Sequence, residues 1–296
     1  MTEVDFVQKL DAITGQFVGA VWGLPLVGLL VGAGLIFTVY FGFPQISMFK
    51  HAIDIVRGKY DKPEDKGEIS HFQALTTALS ATVGLGNIAG VAVAVAVGGP
   101  GSVFWLWVAG FLGMTTKFTE VTLALKYRYT AESGHVHGGP MFVLRNAFRE
   151  NLLNHLPETR GLGKFFSSLA WLYALFVILS SFGAGNMFQS NQMASIIHSS
   201  TGLPTWASGL IFAGFAFVVL VGGIKRIATV TEKLVPLMVV MYVGGALVVV
   251  FANASEIPNM FSMIFSSAFG GTAATGGFAG VVVKEVVVQG IMERVS

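Results

Sequence analysis

The chain contains no cysteine, which excludes disulfides and thiolate metal sites. It is also poor in charge. Asp, Glu, Lys and Arg make up 11% of its 296 residues, against about 25% in an ordinary soluble domain. None of the four occurs between Ile69 and Thr116. Met1 to Asp11 has neither a basic segment nor a cleavage signature, so no signal peptide is read there. Nothing resembles a catalytic triad, a carboxylate dyad or a phosphate loop, so no enzyme is expected. A net charge of +2 says little by itself, and no nucleic-acid partner is expected. What the chain has in excess is apolar: 53% hydrophobic residues, a mean hydropathy of +0.70 and 37 glycines. That composition describes an all-α protein crossing the bilayer many times, each span needing about 20 apolar residues.

The sequence predicts spans over Leu24–Gly42, Ser70–Val97 and Ser102–Leu125. Gly98-Gly99-Pro100-Gly101 forms a tight turn between the last two. One long helix is predicted over Phe165–His198, then spans over Thr205–Ile224 and Val230–Phe251. In the first span Gly28, Gly32 and Gly34 suit close helix contact. An amphipathic piece near Ile46–Val56 suits the membrane interface. IPNMFSMIFSSAF, within residues 253–280, reads as a short helix. Trp22, Trp171 and Trp206 read as interfacial anchors. His135 and His137, with no third ligand nearby, read as solvated loop residues.

The stretch SHFQALTTALSATVGLGNIAGVAVAVAV (Ser70–Val97) organises the rest. It is long enough to span, yet its middle, Thr82 to Asn87, is a poor helix, because each Gly costs about 1 kcal/mol against Ala in a helix interior. Opened backbone at that depth survives only inside protein or along a polar cavity. GLGNIA also fits a dinucleotide fingerprint, but that motif needs a preceding strand and an acidic residue about 20 positions on. Here a span precedes it, and Phe104-Trp105-Leu106-Trp107 lies where the acid should be.

VGLGNIAG, GGPGSVFWLW and TKFTEVTLALKYR, in that order and spacing, resemble the alanine or glycine:cation symporter family. So do SFGAGNMFQSNQ, GGIKRIATVTEKLVP and GGFAG, which extends the likeness over about residues 20–280. The resemblance implies sodium-coupled uptake of alanine or glycine by alternating access, with sodium as the co-transported ion and no organic cofactor. The implied scaffold is the five-plus-five inverted-repeat fold of the neurotransmitter:sodium symporters. Residues 1–43 would form an N-terminal segment and a peripheral helix, 44–70 a loop, and 71–252 the first five-helix repeat. Residues 253–296 would open the second repeat.

In this reading the break at Thr82–Asn87 is the site. Carbonyls of Ser80, Thr82 and Val83, with the Asn87 side-chain oxygen, offer hard ligands for sodium. The amides of Leu85 and Gly86 face a substrate carboxylate at a helix N-terminus, Gly86 leaves room for the substrate backbone, and Thr82 lies beside both. Asn186 and Gln189 share a helix face and are expected at the substrate cavity; Asn191 and Gln192 fit either the cavity or a helix end. The resemblance makes Thr275, Gly276, Gly277 and Phe278 the second broken element, with Phe278 walling a small pocket. Lys117 and Glu120, three apart on one helix face, form a structural or gating ion pair or take part in coupling; Lys117 is the residue to test if a proton replaces sodium. Substrate choice between alanine and glycine stays open. A channel and an inactive fragment of such a transporter are the alternatives. Since the fold requires two repeats, residues 1–296 are expected not to transport alone. The end also departs from the family: Lys284 and Glu285 place charge in a span that should be neutral.

Positive charge sets the orientation. Lys50, Arg57, Lys59, Lys62 and Lys66 lie in 44–70. Lys126, Arg128, Arg145, Arg149, Arg160 and Lys164 lie in 126–164, and Lys225, Arg226 and Lys233 in 224–233. These are alternate loops, and the other side has only Lys9. The three loops are therefore cytoplasmic, and the N-terminus lies outside the inner membrane. An epitope tag inserted after Lys62 is expected to be protected from external antibody in intact cells, and labelling from outside would invert this topology.

Overall fold

The computed structural model describes residues 12, 14–16, 24–61, 67–132, 134–147, 160–183, 187–270 and 273. The described chain is almost wholly helical: α1 (Leu24–Tyr40), α2 (Pro44–Ser47), α3 (Phe49–Val56), α4 (His71–Thr82), α5 (Leu85–Gly98) and α6 (Ser102–Lys126). A two-residue hairpin follows, β1 (Tyr129–Thr130) against β2 (Val136–His137), with Tyr129 opposite His137. Then come α7 (Pro140–Ala147), α8 (Arg160–Gly183), α9 (Met187–Thr201), α10 (Thr205–Leu220), α11 (Gly223–Ala252), a 3-10 turn (Ala254–Glu256) and α12 (Ile257–Ser267). Among the described residues, two helical stretches are long and apolar enough to cross a membrane, Gly163–Ser181 and Gly223–Ala252. Leu26–Tyr40, Ile88–Gly98 and Thr205–Leu220 are shorter apolar helices. Only 6% of each long stretch is buried. Apolar helices left this open belong in lipid rather than in a protein core.

The helix expected over Phe165–His198 is described as α8 up to Gly183 and as α9 from Met187, and residues 184–186 lie outside the described residues. Two expectations need correction. Residues 224–233 are not a loop. They form the first turns of α11, where Ala228 and Val235 are buried on one face, and Lys225, Arg226 and Lys233 ride on the helix. The loop shrinks to a turn at Val221–Gly222, with Gly223 at φ 66°. Nor is residues 126–164 an unbroken loop, since it contains the hairpin and α7.

The chain forms two compact units. The first comprises Met1–Phe49, Leu85–Lys117 and Leu247–Ser296. Within it α1 meets α6 at Gly34, where a Cβ would stand 2.9 Å from the Leu112 Cβ. Among the described residues, Gly28 and Gly32 have nothing within 4 Å of such an atom. One turn further along α1, the buried Thr38 and Thr115 hydroxyls lie 2.8 Å apart. The Gln45 amide donates to Thr38 at 3.0 Å and to the Phe111 carbonyl at 3.1 Å, tying the start of α2 to both helices. Between α1 and α2 the chain reverses through Gly42 and Phe43, both at positive φ. At the other end of α6, Trp105 donates to the Ala268 carbonyl at 2.6 Å and Ser102 to that of Ala273 at 3.2 Å. Phe104 and Trp107 meet Phe265 of α12 through ring contacts.

The second unit comprises Lys50–Gly84 and Phe118–Ala246. Here α4 opens with a capping box: the Ser70 hydroxyl accepts from the Gln73 amide N–H, and the Gln73 side chain accepts from Ser70 N–H. Asn146 of α7 donates to the Tyr127 carbonyl at 3.1 Å and holds the hairpin's base. Lys59 bonds Asp54 at 2.9 Å, and that carboxylate raises the lysine pKa above its ordinary value.

Gly101, in the turn just before α6, packs tightly against the end of α12. A Cβ there would fall 2.5 Å from the Ser267 carbonyl carbon and 2.7 Å from the Ala268 nitrogen, both backbone atoms that cannot swing away. Gly101→Ala should therefore destabilise the protein by about 1–3 kcal/mol, as overpacking does. Gly110→Ala, inside α6, has nothing within 4 Å among the described residues and should be neutral or stabilising by up to about 1 kcal/mol. Thermal unfolding of the two variants in detergent distinguishes them, and equal melting temperatures would contradict this packing.

Candidate substrate and cation site at a broken helix

The predicted break is present. α4 ends at Thr82 and α5 begins at Leu85. Val83 leaves the helix at φ −82°, ψ 81°, and its N–H makes an α-type bond to the Leu79 carbonyl at 2.7 Å. Gly84 N–H turns instead to the Thr82 carbonyl, two residues back, at 3.0 Å. The i−4 ladder of α4 thus stops at Val83, and a new helix starts two residues later. A helix end presents carbonyls with partial negative charge, and a helix start presents amides with partial positive charge. The chain supplies both within a few residues.

Of the predicted cation ligands, Ser80, Thr82 and Val83 lie at the end of α4 in the second unit. The Ser80 hydroxyl donates to the Thr77 carbonyl at 2.7 Å, and the Thr82 hydroxyl to that of Ala78 at 3.0 Å. Both hydroxyl donors are engaged within their own helix. The Thr82 carbonyl already accepts from Gly84. Leu85, Gly86 and Asn87 form the first turn of α5, in the first unit, where N–H groups lack intrahelical acceptors. Their side chains lie outside the described residues, as do Asn186, Thr275, Gly276, Gly277 and Phe278.

Gln189 stands exposed in the first turn of α9, Asn191 is exposed and Gln192 half-buried. Lys117 and Glu120 occupy one face of α6, one turn apart, and both are exposed. His135 Nδ1 lies 3.2 Å from a Glu68 carboxylate oxygen, and His137 stacks on Phe142, which gives each a structural role. No cluster of three His, Asp or Glu side chains is found among the described residues. Sequence reasoning missed the partners of α4. Gln73 donates to Glu232 of α11 at 2.9 Å, and the Thr77 and Thr231 hydroxyls lie 3.1 Å apart. The capping spacing of Ser70 and Gln73 was legible in the sequence; the pairing with α11 had no local signal.

Known proteins are similar to this chain over most of its length. The chain is similar to the sodium/alanine symporter AgcS of Methanococcus maripaludis, 40% identical over 291 residues, which is 98% of this chain and 61% of that protein. It is 33% identical to the probable sodium/glutamine symporter GlnT of Bacillus subtilis, over 97% of this chain and 56% of the relative. The putative sodium/proton-dependent alanine carrier protein YrbD of the same organism is 34% identical, over 97% and 54%. The chain thus spans a little over half the length of these relatives. The sodium:alanine symporter family model matches residues 7–294, nearly the whole chain, and with the 40% identity over its length this shows that the chain belongs to that family.

Proposed function

We infer that this chain carries the cation- and substrate-binding break of a sodium-coupled symporter for a small neutral amino acid, alanine or glycine, working by alternating access. One observation carries the reading: helix α4 ends and α5 begins at Val83–Gly84, inside a stretch without Asp, Glu, Lys or Arg. Family membership supports sodium as the co-transported ion.

The roles follow from the chemistry of the two helix ends. Sodium is a small hard cation, and the Ser80, Thr82 and Val83 carbonyls and the Asn87 side-chain oxygen are neutral hard donors suited to it. The substrate carboxylate sits against the Leu85 and Gly86 amides, where the helix dipole favours an anion. Gly86 admits the substrate backbone. By resemblance to the family, Gly276, Gly277 and Phe278 are candidates for substrate contact as a second broken element, and Asn186 and Gln189 are further candidates for substrate contact. Lys117 and Glu120 act as a structural or gating ion pair near the cytoplasmic end of α6. The N-terminus is outside and residues 44–70 and 126–164 face the cytoplasm. The lysines and arginine at the start of α11 serve the same charge rule from a helix rather than a loop.

Residues 1–296 are tested alone and as a chimera in which they replace the matching segment of the Methanococcus relative. Both are reconstituted in proteoliposomes and supplied with radiolabelled alanine, glycine or glutamine under a sodium, lithium or proton gradient. The chimera should accumulate alanine or glycine only with sodium. Asn87→Ala in the chimera should raise the sodium concentration for half-maximal uptake by about tenfold, the equivalent of 1.4 kcal/mol, with a smaller change in protein abundance. Uptake indifferent to the cation, or sodium activation unchanged in Asn87→Ala, would overturn the assignment; unitary currents in place of saturable uptake would make the protein a channel.

A further inference from the structure

We propose that Gln73 and Glu232 form a latch that positions the cation-binding end of α4, a role resting on the sodium-symport reading above. Four observations within the second unit converge on it. Gln73 is doubly committed: its side-chain oxygen accepts Ser70 N–H at 3.1 Å, and its side-chain nitrogen donates to the Glu232 carboxylate at 2.9 Å. One turn on, Thr77 meets Thr231 at 3.1 Å. The two bonds lie four residues apart on α4 and one residue apart on α11, so they join the helices at two points and resist rotation of α4 about its axis. Finally, Gln73, Thr76, Thr77 and Ser80 have the i, i+3, i+4, i+7 spacing of a single helix face. Ala228, Thr231, Glu232 and Val235 repeat it on α11, with Thr76, Ala228 and Val235 buried.

Ser80, a proposed cation ligand, is therefore the next member of the face that the latch grips. Seven residues separate it from Gln73, about 10 Å along a helix. A half-helix ending in open backbone has no continuing ladder to hold its end in place. The carboxylate is suited to the task because a hydrogen bond to a charged group is stronger than a neutral one. Glu232 is a positioning residue: it touches neither ion nor substrate and acts through the orientation of α4.

The absence of cysteine makes the chain a ready background for cross-linking. Thr77→Cys with Thr231→Cys should form a disulfide under mild oxidant in residues 1–296 reconstituted in lipid. Adding Glu232→Leu, which leaves the capping box intact, should slow that cross-link at least about threefold. The exchange Gln73→Glu with Glu232→Gln keeps a cap acceptor and a donor–carboxylate pair, and it should restore the rate to within about twofold of the parent. In the chimera, Glu232→Leu should raise the sodium concentration for half-maximal uptake with a smaller change in maximal rate, and the exchange should reverse this. A parent-like cross-linking rate in Glu232→Leu, or an exchange variant no faster than Glu232→Leu, would overturn the latch. A loss of maximal rate alone, tracking protein abundance, would reduce Glu232 to a folding residue. If the chimera shows no sodium-driven uptake in any variant, the symport reading fails and the positioning role with it, while cross-linking still decides whether the latch exists.

Discussion

Hydrocarbon offers backbone amides and carbonyls no partner, so a membrane-spanning chain must satisfy them internally. Several departures from helix among the described residues are visibly compensated. Where α1 ends, Phe43 N–H returns to the Thr38 carbonyl at 2.9 Å, and the positive φ of Gly42 and Phe43 turns the chain. Between α5 and α6, Gly99 N–H bonds Val95 and Ser102 N–H bonds Gly99. At Val83–Gly84 the same economy holds for the N–H groups, but one helix still ends and another begins within a few residues.

Small residues and polar bonds join the helices alongside aromatic contacts such as Phe104 and Trp107 against Phe265. Gly34 and Gly101 mark the closest backbone approaches in the first unit, and Thr38, Thr115, Ser102 and Gln45 supply the hydrogen bonds. In the second unit the Gln73–Glu232 and Thr77–Thr231 bonds do the same. This is the economy of membrane packing, where lipid is as apolar as leucine and burial of leucine gains little. It also explains why Phe215, Val240 and Val248 stand far out of the protein on α10 and α11.

The site was unevenly legible. Gly84-Leu85-Gly86-Asn87 announced the first break because two glycines and an asparagine lower helix propensity within one turn. The basic stretch at 224–233 misled. Lysine and arginine are good helix formers, and charge alone does not distinguish a loop from the solvated turns at the start of a helix. In the Gly98–Gly101 turn the sequence showed a reversal, but not that Gly101 would lie against the backbone of Ser267.

Sequence by itself determined the class of the protein, the family, the position of the first helix break and the capping of α4, because each is written in composition or in residues less than a turn or two apart. Tertiary structure alone decided which residues hold that broken helix in place. Gln73 and Glu232 are separated by 159 positions, and each has an ordinary local explanation, a cap and a solvated charge. Only the packing of α4 along α11 brings the amide within reach of the carboxylate, and no local propensity encodes a contact of that sequence separation.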